Sequence, residues 1–346
     1  MHPYRNNYRL LLPIVCACVT IISVLTGCRT DRWHREQGMI WNTVWHATYE
    51  GEESYISACM DSLEAVGASL SVFDEKSLVS RMNSGTDSIA DRHFSDVYVI
   101  SKYVNVLSGG MFDPTVSPLV EAWGFGKNRA PEADSTIIAS RLAAVGIHKT
   151  RLEGSILHKD NPDITFNFSA IAKGYGVDKA AEALASKGVG NLMFEIGGEV
   201  VCRGKNPDGS DWRILIETPD EEFLLATFGT DKMPEFSTPL IVTLSDEALA
   251  TSGNYRNYHK DSGRTFGHTI SPLTGYPVES DLLSASVIAP TCVLADALAT
   301  ACMGMGSEKG MEMLDKEGVA GAFILNTGKL VMNDNMRRHL HEEKTE

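Results

Sequence analysis

The chain has 346 residues, 31 of them basic and 45 acidic, for a formal net charge of −14. That length can bury a sizeable core as one or two domains, and the acidic balance excludes non-specific binding to nucleic acid, which needs a basic surface. Beyond residue 28 the cysteines are Cys59, Cys202, Cys292 and Cys302. None forms a CxxC pair, which excludes a zinc finger or a dithiol redox motif and makes them small buried hydrophobes.

Arg5 and Arg9 precede an apolar stretch, 10–25, that ends in Leu25-Thr26-Gly27-Cys28. A basic start, a short apolar run and small residues read as a secretory signal, and the run is shorter than the ~20 residues of a spanning helix. Leu-Thr-Gly-Cys resembles the lipobox of bacterial lipoproteins, whose cysteine is lipidated and becomes the mature N-terminus. Several acyl chains on Cys28 would anchor firmly, whereas one chain binds only marginally. The expected organisation is a signal peptide over 1–27, a polar membrane tether over 28–38, a folded domain over 39–335 and a polar tail over 336–346. The expected location is the bacterial cell envelope, lipid-anchored and facing the periplasm.

Residues 41–49 are rich in Trp, Thr, Val and Tyr and predict a strand. Ile56, Met60, Leu63, Val66 and Leu70 recur at helical period and predict a helix over 54–70. A short helix follows over 77–83 with Ser77 as cap, then one over 94–107 stopped by Gly109-Gly110. Residues 110–126 read as an irregular loop. Helix 135–145 stops at Gly146, 164–168 alternates like a strand, and 170–187 is an alanine-rich helix ending at Gly188. Strands are expected over 192–196, 199–203, 212–217, 224–228 and 240–244, with an Asn206-Pro207-Asp208-Gly209 turn between. A strand over 283–289, helices over 291–303 and 307–317, and strands over 319–325 and 329–332 complete the chain. Antiparallel-type strands interspersed with helices predict an α+β fold, not a doubly wound parallel sheet.

Four clusters have the residue types that chemistry needs. Gly110-Met111-Phe112-Asp113-Pro114-Thr115, followed by Trp123-Gly124-Phe125-Gly126, offers flat apolar faces and one acceptor, which suit a planar ligand or a packed loop. Asn167-Phe168-Ser169-Ala170-Ile171-Ala172-Lys173-Gly174-Tyr175-Gly176-Val177-Asp178 carries a strand end into a helix start. Free N–H groups there suit phosphate, and Lys173 in the first turn opposes the helix dipole unless it serves an anion. Thr251-Ser252-Gly253-Asn254-Tyr255-Arg256 and His268-Thr269-Ile270-Ser271-Pro272-Leu273-Thr274-Gly275-Tyr276-Pro277 supply hydroxyls, a guanidinium and an imidazole. His268 is either a general base or simply hydrogen-bonded in place. Ala295-Asp296-Ala297-Leu298-Ala299-Thr300 puts a carboxylate and a hydroxyl at i and i+4 on an otherwise apolar helix, an oxygen pair suited to Mg²⁺.

Together, in this order and behind a lipobox, the four clusters resemble the ApbE family of FAD:protein FMN transferases from residue 41 to about 330. The resemblance implies a T-fold-related α+β structure whose two lobes enclose a flavin cleft. It implies FAD against Trp41, Phe73, Met111, Phe112, Asp113, Asn167, Lys173, His268 and Ile270, and Mg²⁺ on Asp296, Thr300 and the carbonyl of Ala170. Ala299 stands where some members place a further acidic ligand. Trp41-Asn42 replaces the usual Met-Gly, Asn167 a usual Asp, and Ser271 an Asp before the proline. The implied reaction attaches FMN to a threonine hydroxyl and releases AMP, with Asp296 at the catalytic centre and His268 as the base. Implied partners are exported threonine-containing acceptors, such as subunits of sodium-translocating NADH:quinone reductase or Rnf-type complexes. A metal-dependent FAD pyrophosphatase would use the same site, and a flavin-binding lipoprotein without turnover would need no metal.

Overall fold

The computed structural model of the chain describes residues 32–124, 134–217, 240–253, 258–261, 264–267 and 269–341. Eight strands form one wholly antiparallel sheet. Its order is β1 (Trp33–Ile40), β2 (Thr43–Glu50), β5 (Leu192–Ile196), β6 (Glu199–Arg203), β9 (Glu247–Gly253), β12 (Leu282–Ala289), β13 (Ala320–Leu325) and β14 (Leu330–Met332). Three two-stranded antiparallel sheets are described besides it: β3 (Thr150–Glu153) with β4 (Ile156–Lys159), β7 (Trp212–Ile216) with β8 (Leu240–Leu244), and β10 (Tyr258–Asp261) with β11 (Arg264–Gly267). The described helices are α1 (Ile56–Leu70), α2 (Leu78–Asn83), α3 (Arg92–Leu107), α4 (Ser117–Ala122), α5 (Ser135–Leu142), α6 (Ala172–Ser186), α7 (Cys292–Met305), α8 (Ser307–Glu317) and α9 (Asp334–Arg337).

Helices cover one sheet face. Tyr49 and Phe194 from the strands pack there with Leu63 of α1 and Val177, Ala181 and Leu184 of α6. A larger core joins Phe94, Phe166, Phe168, Leu298 and Phe323. The opposite face, at β6, β9 and β12, is closed by Trp212, Ile216, Val242 and Leu244 of the β7–β8 pair and by Met336. β12 is therefore buried along its whole length, which is why its sequence is a continuous run of apolar and small residues with no polar alternation. A small separate core of Leu119, Ala122, Ile138, Val145 and Ile270 joins α4 and α5 to the 270 loop.

Local signals set the helix starts. The Ser77 hydroxyl accepts the Ser80 N–H at 3.1 Å, and the Asp91 carboxylate accepts the Phe94 N–H at 2.8 Å, so α3 begins at Arg92, earlier than its apolar period alone predicts. All four described cysteines are buried and unbridged, as expected.

Several expectations need correction. Residues 33–38, read as tether, belong to β1; an edge strand with one wet face is polar enough to pass for a linker. The tail from 336 is not free at its start, because Met336 is buried and Leu340 bridges to Val242. α4 lies inside the loop read as irregular, and β9 was not anticipated because its sequence, EALATSG, has little strand propensity and is held by pairing on both edges. The 164–168 segment buries Ile164, Phe166 and Phe168 in alternation but pairs with no strand. The Asn83 side chain takes that place, accepting the Phe166 N–H at 2.7 Å and donating to its carbonyl at 2.8 Å. The strand expected over 224–228 lies outside the described residues, as do 1–31.

Candidate active site

The second cluster folds as expected, as a strand-like approach into a helix. Asn167 donates its backbone N–H to the Pro114 carbonyl at 2.7 Å, and its side chain accepts the Ser169 N–H at 2.9 Å. This ties the 110–118 loop to the entry of α6. Lys173 and Gly174 occupy the first turn of α6. Any Cβ at Gly174 would collide with the Cys292 carbonyl oxygen and come within 2.8 Å of Asp296 Cβ, so glycine is what lets α6 and α7 touch.

That contact delivers Asp296. Its side chain is buried, and its Oδ2 accepts the Gly174 N–H at 3.0 Å, the one hydrogen bond it makes among the described residues. An ionised carboxylate has about four acceptor positions, so most of its capacity is unused. Burial pushes its pKa up to about 6, with the Lys173 ammonium and the Gly174 N–H pulling the other way. One turn on, the Thr300 hydroxyl lies 3.4 Å from the Ala170 carbonyl and 3.1 Å from Ser252 Oγ. Asp296, Thr300 and Ala170, separate in sequence, are thus brought to the α6–α7 seam. Lys173 Nζ pairs with Glu199 Oε2 at 2.5 Å, and Glu199 is fully buried.

The charge balance at the seam supports a cation. Burial raises the pKa of the Cys292 thiol most, and the nearby Asp178, Asp296 and Glu199 carboxylates add to it, opposed by Lys173. Among the described residues the buried Asp296 and Glu199 carboxylates face the Lys173 ammonium, and buried charge that is not balanced is costly. Among the described residues no three His, Cys, Asp or Glu side chains gather as a metal cluster. A cation here would rest on one carboxylate, one hydroxyl and one carbonyl, a hard oxygen set that fits Mg²⁺ with further oxygens from a ligand. Ala299 is buried and contributes only a methyl group.

The first cluster departs from its expected role. Phe112 is buried in the large core. Asp113 is also buried, and its carboxylate already accepts four hydrogen bonds: Thr115 N–H at 2.9 Å, Thr115 hydroxyl at 2.6 Å, Ile147 N–H at 2.9 Å and Asn105 Nδ2 at 3.3 Å. That fills the acceptor capacity of the group, so Asp113 pins the loop and has nothing left for a ligand. Met111 lies against Gly304 of α7. Ile270 is buried among Leu119, Ile138 and Val145, and the following turn holds the loop through a 2.8 Å bond from Trp123 Nε1 to the Gly275 carbonyl. His268 lies outside the described residues, as do Asn254, Tyr255, Arg256, Phe125 and Gly126.

Trp41 and Asn42 form the two-residue turn of the β1–β2 hairpin, with φ of 48° and 61°. Such a turn needs positive φ at both positions, which Asn tolerates and a bulky residue adopts only under constraint. The constraint is packing: the Trp41 indole lies on Gly67 of α1 and Gly176 of α6, where any Cβ would meet its ring. Phe73, on the loop after α1, is 76% exposed, so its ring remains available to a ligand. Asp178 was legible only as the end of the second cluster. It sits one turn after Gly174, and that i,i+4 spacing was the available signal.

Comparison with known proteins identifies the family and the fold. An FAD:protein FMN transferase of Vibrio cholerae is 37% identical over 270 residues, covering 77% of each chain. One of Escherichia coli K12 is 31% identical over 326 residues and 89% of each chain. The solved structure of flavin transferase ApbE from Vibrio cholerae matches with a TM-score of 0.77 at 31% identity, over 89% of this chain and 99% of that one. The model of the ApbE family matches residues 41–324, and the chain belongs to that family.

Proposed function

We propose that this chain transfers the FMN half of FAD to a protein acceptor, releasing AMP. The observation that carries the reading is the α6–α7 seam, where a buried, under-bonded Asp296 stands one helical turn from Thr300 at the Ala170 carbonyl. Asp296, Thr300 and Ala170 would hold Mg²⁺, which when bound supplies charge neutralisation at the pyrophosphate. Lys173 in the first turn of α6 would serve the phosphates, while Glu199 keeps the ammonium oriented. Phe73 offers a flat exposed face to a ring.

The acceptor is a threonine. Its hydroxyl oxygen forms a bond to the FMN-side phosphorus as the bond to the bridging anhydride oxygen breaks, and AMP departs with that oxygen. The hydroxyl proton needs a base, and His268 is our assignment. This is phosphoryl transfer, in which positioning and charge stabilisation carry most of the catalysis. We further assign lipid to Cys28 and a periplasm-facing position to the domain. Anchoring would raise the local concentration of membrane-bound acceptors, such as exported subunits of sodium-translocating NADH:quinone reductase or Rnf-type complexes. Metabolic acyl labelling that leaves the wild type unmarked and the Cys28→Ser variant unchanged would remove that part.

The test is incubation of the chain with FAD, Mg²⁺ and a threonine-containing acceptor, followed by acceptor mass and AMP assay. A flavinylated acceptor with stoichiometric AMP is expected. AMP with an unmodified acceptor would make the chain an FAD pyrophosphatase, and neither product would leave a flavin-binding protein.

A further inference from the structure

We propose that Asp178 is a positioning residue for the Asp296–Thr300 pair, gripping α7 from α6 so that these side chains face the Ala170 carbonyl. The proposal rests on the metal-site reading above. Asp178 is buried on α6, and its two oxygens each accept one backbone N–H from the first turn of α7, Cys292 at 2.9 Å and Val293 at 2.9 Å. The N-cap residue of α7, Thr291, makes no side-chain cap bond, so the cap comes from another helix.

The same two helices are joined a second time. Gly174 lies four residues before Asp178, and Asp296 lies four residues after Cys292. The Gly174 N–H reaches Asp296 at 3.0 Å, so three bonds in two links of matched one-turn spacing and opposite polarity clamp the pair. Beside the clamps α7 buries Ala295, Ala297, Ala299 and Ala301 together with the larger Val293 and Leu298. The alanines add little steric resistance to rotation about the helix axis, so the orientation of Asp296 rests on the few larger side chains and on the hydrogen bonds. A slip of one residue would swing Asp296 by roughly 100°. A bidentate grip on two successive backbone amides opposes that rotation, which a single hydrogen bond does not.

Gly174 also provides a reporter. As the third residue of α6 its N–H has no partner within the helix, so its protection from solvent depends on Asp296. Two variants of the full chain separate positioning from simple capping: Asp178→Asn, and Asp178→Ala combined with Thr291→Asp, which restores a cap within α7 but not the link to α6. In metal-free protein, Gly174 amide exchange should be about tenfold faster or more in both variants, and Mn²⁺ affinity by calorimetry should fall by about tenfold or more. The double variant should regain most of the wild-type Tm. Recovery of both Gly174 protection and Mn²⁺ affinity in the double variant, or wild-type values of both in Asp178→Asn, would overturn the proposal. A wild-type chain that binds no Mn²⁺ would sink the metal reading, while Gly174 exchange would still decide the clamp.

Discussion

Asp113 and Asp296 are both buried aspartates inside family motifs, yet their surroundings assign them opposite work. Asp113 accepts two bonds from Thr115 of its own loop and two from outside it, from the Ile147 N–H and the Asn105 amide, which fills its acceptor positions. Asp296 sits on a helix flanked by alanines and accepts a single N–H among the described residues. A saturated buried carboxylate holds backbone in place, whereas an under-bonded one is a site that a cation or a proton can complete.

The sharpest way to break that contrast is Asp296→Asn. Removing the charge while keeping the shape should abolish divalent-cation binding and reduce AMP release by several orders of magnitude, with Tm equal to or above that of the metal-free wild type. Near-normal AMP release at limiting Mg²⁺ would move the cation elsewhere. Asp113→Ala should do the reverse. It orphans several buried donors, each at about 1–3 kcal/mol, so denaturant unfolding should show a loss of about 3 kcal/mol or more. FAD affinity of the folded fraction should hardly change. A titration in which FAD binding weakens while stability is kept would restore Asp113 as a ligand contact.

Acid sharpens the comparison further. Protons and Mg²⁺ compete for Asp296, whose pKa burial raises to about 6. Cation affinity should therefore be level above that pH and fall about tenfold per unit below it. The stability of the metal-free fold should run the other way for this group. Its folded value exceeds the unfolded 3.8, so the contribution is unfavourable above about 6 and is relieved as pH falls from 6 towards 3.8. Cation titrations that are flat from pH 7 to 5 would contradict the assignment.

The smallest effect concerns His339, which bonds Glu247 at 3.1 Å and ties the C-terminal segment to β9. That hydrogen bond raises the pKa of the imidazole above its ordinary 6.5 despite partial burial. Its stabilisation is full below 6.5 and is lost as pH rises through the raised value. Amide exchange of residues 336–341 should quicken across that range in the wild type and be pH-insensitive beyond intrinsic exchange in His339→Gln.

How much was legible divides along physical lines. Apolar period, caps and turn residues act within a few positions, so sequence alone placed α1, α2, α3, α6, α7 and α8 and the strands β5, β6, β8, β12 and β13 close to where they lie. The i,i+4 spacing of Asp296 and Thr300 likewise follows from helix geometry and needed no fold. Pairing and burial depend on partners far along the chain. Only the tertiary structure could turn residues 33–38 into an edge strand, hold EALATSG between two neighbours, or let Asn83 stand in for a strand beside Phe166. Nor could a motif reveal whether its aspartate is already satisfied. That depends on Asn105 and Ile147 for Asp113, and on Gly174 for Asp296, donors set in place only when the chain packs.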